Sequence, residues 1–257
     1  PCRGSDETQF MHILTKNIAV METEISRQMW EDLRVVQPTL PEDPSSTSAS
    51  PLMINPVQRN NWYESVLFAN LLSVQNGYTQ CYHKDATYTI PVDATNYTTG
   101  QFFWNAAANG YRLPSEGEWE HFCRAGTNGP FSCDEQLYDA GNCYSCVIGT
   151  HDVLEDYCVY CANDPGSTQA VGSKLSNPWN LKDVHGNVWE WCWDWYGDYP
   201  TGLEEDYTGP MTGSDRVKHG GSWENYARGC RSAKRSSGSP GWHFDSTTGF
   251  RLVRTVN

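Results

Sequence analysis

The sequence predicts an α+β domain with little regular secondary structure and long loops. Three observations carry that expectation. Helical apolar periodicity is confined to the residues before Gly126. Beyond it, Gly, Asn, Pro, Asp and Ser break the chain into short apolar pieces. Inside that second half, "VWEWCWDWY" (188–196) alternates strictly, with Trp189, Trp191, Trp193 and Trp195 on one side and Glu190, Cys192 and Asp194 on the other, the period of a strand.

The elements follow in order. In "ETEISRQMWEDLR" (22–34), Ile25, Met29 and Leu33 recur at helical spacing, and Thr23 is placed to cap the first turn. "QPTLPEDPSSTSASP" then replaces the apolar pattern with Pro, Ser and acids, so residues 38–56 read as an exposed loop. A second helix is predicted in "NWYESVLFANLLSVQNG", with Val66, Asn70 and Leu71 on one stripe and Gly77 at its C-terminal end. The third lies in "RLPSEGEWEHFCRAG": Ser115 and Glu118 have capping-box spacing, Trp119, Phe122 and Cys123 share a face, and Gly126 stops it. After the tryptophan strand, "GGSW" (220–223) and "GFRLVRT" (249–255) read as two further strands, separated by a loop over 224–247. With no internal repeat and no convincing linker, residues 1–257 are read as one domain.

A chain of 257 residues is long enough to bury a core without staples. Its net charge of −13 argues against a nucleic-acid backbone or an anionic membrane as the main partner. No apolar run is long enough to span a bilayer. Cys2, close to the amino end, is a candidate for lipidation. Cys143, Cys146, Cys158 and Cys161 form Cys-x-x-Cys, eleven residues, Cys-x-x-Cys. That spacing suits a tetrahedral zinc knuckle stapling a long loop, or two disulfides in an oxidising compartment.

Several phrases in one order, "NWYESVLFANLLS", "YRLPSEGEWEHFCRAGT", "AVGSKLSNPWNLKDVHGNVWEWCWDWYG", "RVKHGGSW", "CRSAKR" and "GFRLVRT", resemble the formylglycine-generating enzyme, or sulfatase-modifying factor, family. The resemblance spans roughly residues 10–254 and implies a C-type-lectin-like core. That fold carries catalysts, noncatalytic paralogues and the variable proteins of diversity-generating retroelements, so the site has to discriminate.

The resemblance implies that an oxidase of this family binds copper(I) through two cysteines, four residues apart, shortly after Gly-Gly-Ser. Here the first position falls on Asn225, and Cys230 is the only cysteine before "RSAKR". One thiolate cannot make a linear two-coordinate copper site. No copper is expected, and catalysis through Cys230 and Ser222, as a formylglycine-generating oxidase or related sulfatase-modifying enzyme acting on a peptide cysteine, is the alternative reading. Nothing in the sequence pairs Cys230 with a base, and His219 reads as structural. The resemblance also implies a calcium site at "DVHGNVWE", with carboxylates from Asp183 and Glu190 and carbonyls from Gly186 and Val188.

The loop after Gly-Gly-Ser has the composition of a paratope, with aromatic anchors among small polar residues and glycines. Its candidate ligand-binding residues are Trp223, Glu224, Asn225, Tyr226, Gly229, Lys234, Ser236, Ser237, Trp242, His243, Phe244, Asp245 and Ser246. The resulting expectation is a noncatalytic ligand-binding protein, of the kind diversified by retroelements. Its partner would be a protein or a glycan, met at a cell or virion surface.

Overall fold

The computed structural model describes residues 4–133, 153–163, 165–243 and 245–256. Its strands are β1 (Met11–Ile13), β2 (Ile18–Val20), β3 (Tyr82–His83), β4 (Phe103–Trp104), β5 (Tyr111–Arg112), β6 (Trp189–Trp195), β7 (Leu203–Glu205), β8 (Arg216–His219), β9 (Ser236–Gly238), β10 (Thr248–Gly249) and β11 (Val253–Thr255). Its helices are α1 (Arg27–Val36), α2 (Trp62–Gln75), α3 (Glu116–Arg124) and the short α4 (Val153–Tyr157). A four-stranded sheet runs β10-β6-β8-β9 and a three-stranded sheet β2-β11-β5, with β1-β7 and β3-β4 as separate pairs. This is the mixed, loop-rich architecture the sequence predicts.

Strand β6 organises the interior. Trp191 enters one core, beside Trp62, Phe68 and Phe250, while Cys192 enters a second one built on Trp119, Phe122, Val217 and Val253. The predicted alternation is therefore real, but it separates two cores rather than core from solvent. Indole N–H groups are satisfied across it: Trp62 Nε1 donates to the Cys192 carbonyl at 2.9 Å and Trp191 Nε1 to that of Asn60 at 3.1 Å. A third, smaller core gathers Phe131, Leu154, Cys158, Tyr160, Ala227 and Cys230.

Five features differ from the sequence reading. Helix α1 is capped by Ser26, whose side chain accepts from Met29 N, and not by Thr23. The stretch before it is held extended, because Ile25 exchanges backbone bonds with Phe250 and Val57. The 38–56 segment is irregular but not simply exposed, since Leu40, Ala49, Ser50 and Asn55 are buried and Asn55 Nδ2 donates to the Thr168 carbonyl at 2.7 Å. The strand near Gly-Gly-Ser precedes it as β8, because Gly220 and Gly221 take φ of +97° and +78°. The 224–247 segment holds a 3-10 turn at Ala227–Cys230 and strand β9, and "GFRLVRT" divides between β10 and β11.

Candidate functional site

The Gly-Gly-Ser turn is built by contact rather than by chemistry. A Cβ on Gly221 would stand 2.7 Å from Cys230 Sγ and 2.8 Å from the Gly229 carbonyl oxygen, so only glycine lets these backbones meet. Ser222 is buried, and its hydroxyl and N–H both donate to Asn225 Oδ1 at 2.9 Å. Cys230 is buried against Ala227 and Tyr160. His219 is occupied elsewhere, 2.8 Å from Glu116 and stacked on Trp119.

His185, which the sequence did not single out, lies nearer. Its Nδ1–H donates to the Cys230 carbonyl at 2.8 Å, and its Nε2 accepts from Ser132 N–H at 3.0 Å. Burial pushes it down to about 4, so it is a neutral structural imidazole. The only sequence signal for it was its place inside "DVHGNVWE".

The candidate ligand-binding residues divide sharply. Tyr226 is 44% and Trp242 58% exposed, and Glu224 and His243 are exposed beside them. Trp223 Nε1 donates to the Ser246 carbonyl at 3.4 Å and so ties the two loops into one face. His243 is oriented by Asn61, whose Nδ2 lies 2.7 Å from its Nε2. The rest are scaffold. Asn225 holds Ser222, Gly229 is buried, and Ser236 and Ser237 pair with Lys218 and Val217. Asp245 receives Lys218 Nζ at 2.8 Å and caps Thr247 and Thr248, and Lys218 heads the causes that hold it down at about 2 against the cost of burial. Lys234 is half-buried near Asp6. Phe244 lies outside the described residues.

The cations of "CRSAKR" grip the amino-terminal segment and α3. Arg231 makes a bidentate pair with Glu7 at 2.7 Å, and Arg235 pairs with Glu116 at 2.6 and 2.9 Å while stacking on Tyr199. A cleft of about 980 Å³ lies between residues 7–14 and α3, with Phe10, Tyr199 and Tyr207 in its wall. Its carboxylates, Glu7, Glu116 and Glu120, are all ion-paired.

The metal candidates are only partly assembled. Both Glu190 oxygens are engaged by Arg251 and one also accepts from Trp119 Nε1 at 2.7 Å, all fully buried, which leaves this carboxylate committed to a salt bridge. Asp183 differs: Oδ2 accepts from Gly172 N at 2.6 Å, whereas Oδ1 is buried without a hydrogen-bond partner, and burial pushes the carboxyl up to about 6. That orphan oxygen fits a cation. Of the Cys-x-x-Cys pairs, Cys143 and Cys146 lie outside the described residues. Cys161 is disulfide-bonded and Cys158 is a buried thiol, so the second pair leaves one thiol, not two, for a knuckle. Among the described residues, no three His, Cys, Asp or Glu are grouped to hold a metal.

A lectin-like scaffold with a loop face at its carboxy-terminal end defines a class, and comparison with known proteins supplies the family. The chain belongs to the sulfatase-modifying factor enzyme 1-like domains, matching over residues 7–256. It is similar in structure to Treponema denticola variable protein 1, with a TM-score of 0.76 and 31% identity, covering 93% of this chain and 84% of that one. The structure of CarF gives 0.68 at 21% identity, a likeness of fold alone. In sequence it is 36% identical over 176 residues to formylglycine-generating enzyme of Streptomyces coelicolor, covering 63% of this chain and 53% of that protein. It is 26% identical over 214 residues to chaperone protein LppX of Paenibacillus barcinonensis, covering 78% and 67% respectively. The chain thus spans about half of the Streptomyces enzyme's length.

Proposed function

We propose that this protein is a noncatalytic ligand-binding member of its family, which recognises a protein or glycan at a cell or virion surface through the face formed by residues 223–226 and 241–246. The observation that carries the reading is that face: two exposed aromatic rings, Tyr226 and Trp242, on loops joined by the Trp223–Ser246 bond and mounted on a buried scaffold. Aromatic anchors of this kind supply most of the binding energy at recognition surfaces. Likeness to a variable protein over 93% of the chain supports the same reading. So does Asn225, which stands where the oxidases place a cysteine and commits its oxygen to Ser222. Retroelement diversification would leave a neighbouring reverse transcriptase and a near-duplicate of the segment coding for 216–254, differing at adenines.

The test compares the wild type with Tyr226→Ala and Trp242→Ala on a glycan array and a display library of extracellular domains. Each substitution should cost at least ~2 kcal/mol of affinity for any captured ligand, with the circular dichroism unchanged. Undiminished binding by the double variant would remove the face from the reading. The second reading, an oxidase, rests on the similarity to enzymes named for formylglycine generation. Aerobic turnover of a cysteine-containing peptide with added copper(I), abolished by Cys230→Ser, would establish it in place of the first.

Calcium would be held by Asp183 and the Gly186 and Val188 carbonyls, with Glu190 spent on Arg251. Calcium should raise Tm relative to chelator, and Asp183→Ala should remove that shift; equal melting of the wild type with and without calcium would reject the site. Zinc, with Cys161 in a disulfide, has Cys158 as its one thiol donor from the second pair.

A further inference from the structure

Cys158 and Cys230 have 71 residues between them in the sequence and meet in the third core. Both are fully buried thiols packed into the same small cluster. The backbone around them is arranged for close approach. Gly186, φ +85°, packs with its Cβ position 2.8 Å from Cys158 Sγ, and Gly221 packs in the same way 2.7 Å from Cys230 Sγ. Gly186 N–H donates to the Gly220 carbonyl at 2.7 Å, which locks the two glycine contacts side by side. A second bond, from Cys161 N–H to the Asn225 carbonyl at 3.1 Å, ties the segment that carries Cys158 to the loop that leads to Cys230.

From this geometry we infer that Cys158 and Cys230 are an oxidisable pair, a disulfide site that fastens the loop bearing Tyr226 to the segment following α4. The step balances with a small-molecule disulfide as oxidant. The two cysteine thiols lose two electrons and two protons to form one S–S bond, and oxidised glutathione is reduced to two thiols. Protonated thiols are poor nucleophiles, and burial pushes Cys158 well up, so exchange proceeds through local opening of the core. Cys230 ends the 3-10 turn Ala227–Cys230 that Tyr226 begins, so the bond would hold the base of the recognition loop in its packed position. Fixing a loop in its bound shape reduces the ordering cost of association.

The pairing stands apart from the binding reading, because it is read by mass alone. The full chain is incubated natively with oxidised glutathione, refolded separately in a glutathione redox buffer, then alkylated and digested. The expected product joins the Cys158 and Cys230 peptides, two hydrogens lighter than their sum, and raises Tm. Cys230→Ser should abolish that product and leave Cys158 alkylatable, while Cys133→Ser should leave it intact. Both thiols fully alkylated after both treatments would overturn the inference. Cys158 or Cys230 joined instead to Cys133, or to the partner of Cys161, would overturn it too.

Discussion

Single side chains show how the same residue types stand exposed in one place and build scaffold in the next. Asp245 sits among exposed loop residues, yet it anchors Lys218 and two hydroxyls. Its carboxyl, held down at about 2 from an ordinary 3.8, stabilises the fold above pH ~4, and that contribution is lost as the pH falls through ~2. Asp245→Asn should therefore cost about 1–2 kcal/mol at pH 7, discounted for partial exposure, and the gap from wild type should close in acid. Urea titrations at pH 7 and pH 2.5 check this; a gap independent of pH would show that shape, not charge, is what matters. Composition marked the loop as a candidate ligand surface, but it could not separate exposed Tyr226 and Trp242 from Asn225 and Asp245. The difference lies in partners from distant parts of the chain, such as Lys218, which no local pattern reveals.

Elements were legible where their signals are local. Helix α3 has its cap in its own sequence: Ser115 accepts from Glu118 N, and Glu118 returns to Ser115 N at 2.8 Å. Ser115→Ala should lower stability by about 1 kcal/mol. Glu118→Ala should cost more, because the same carboxylate pairs with buried Arg112 at 2.6 Å. Thermal melts of the two variants rank them, and equal losses would show the Arg112 pair to be inert. The start of α1 was misplaced for the opposite reason. Thr23 and Ser26 are both good caps locally, and the strand-like bonds of Ile25 to Phe250 and Val57 decide between them. The same holds for "GGSW", which has strand composition but positive φ at both glycines.

At the scale of the molecule, the fold was legible because several motifs occur in family order; the way the chain closes on itself was not. Arg231 and Arg235 reach back to residues 6 and 7 across more than 220 positions, and Arg235 also meets α3. Nothing in "RSAKR" distinguishes such clamps from a solvated basic run. Arg231→Ala should destabilise by about 3–5 kcal/mol, since it removes both guanidinium bonds to buried Glu7, whereas replacing both partners by apolar residues should cost far less. A double-mutant cycle in denaturant reads the coupling, and additive effects would mean that the pair contributes no mutual stabilisation.

The two tied loops have one further consequence. Along residues 222–246, exposed side chains alternate every few positions with side chains that close the structure: Ser222 before Glu224, Asn225 before Tyr226, His243 before Asp245. Exposed and structure-closing positions are therefore interleaved within single turns rather than assigned to separate regions. On the proposed reading, randomising codons 224, 226, 242 and 243 together would vary the binding face while leaving every scaffold contact named above in place except the Asn61–His243 bond.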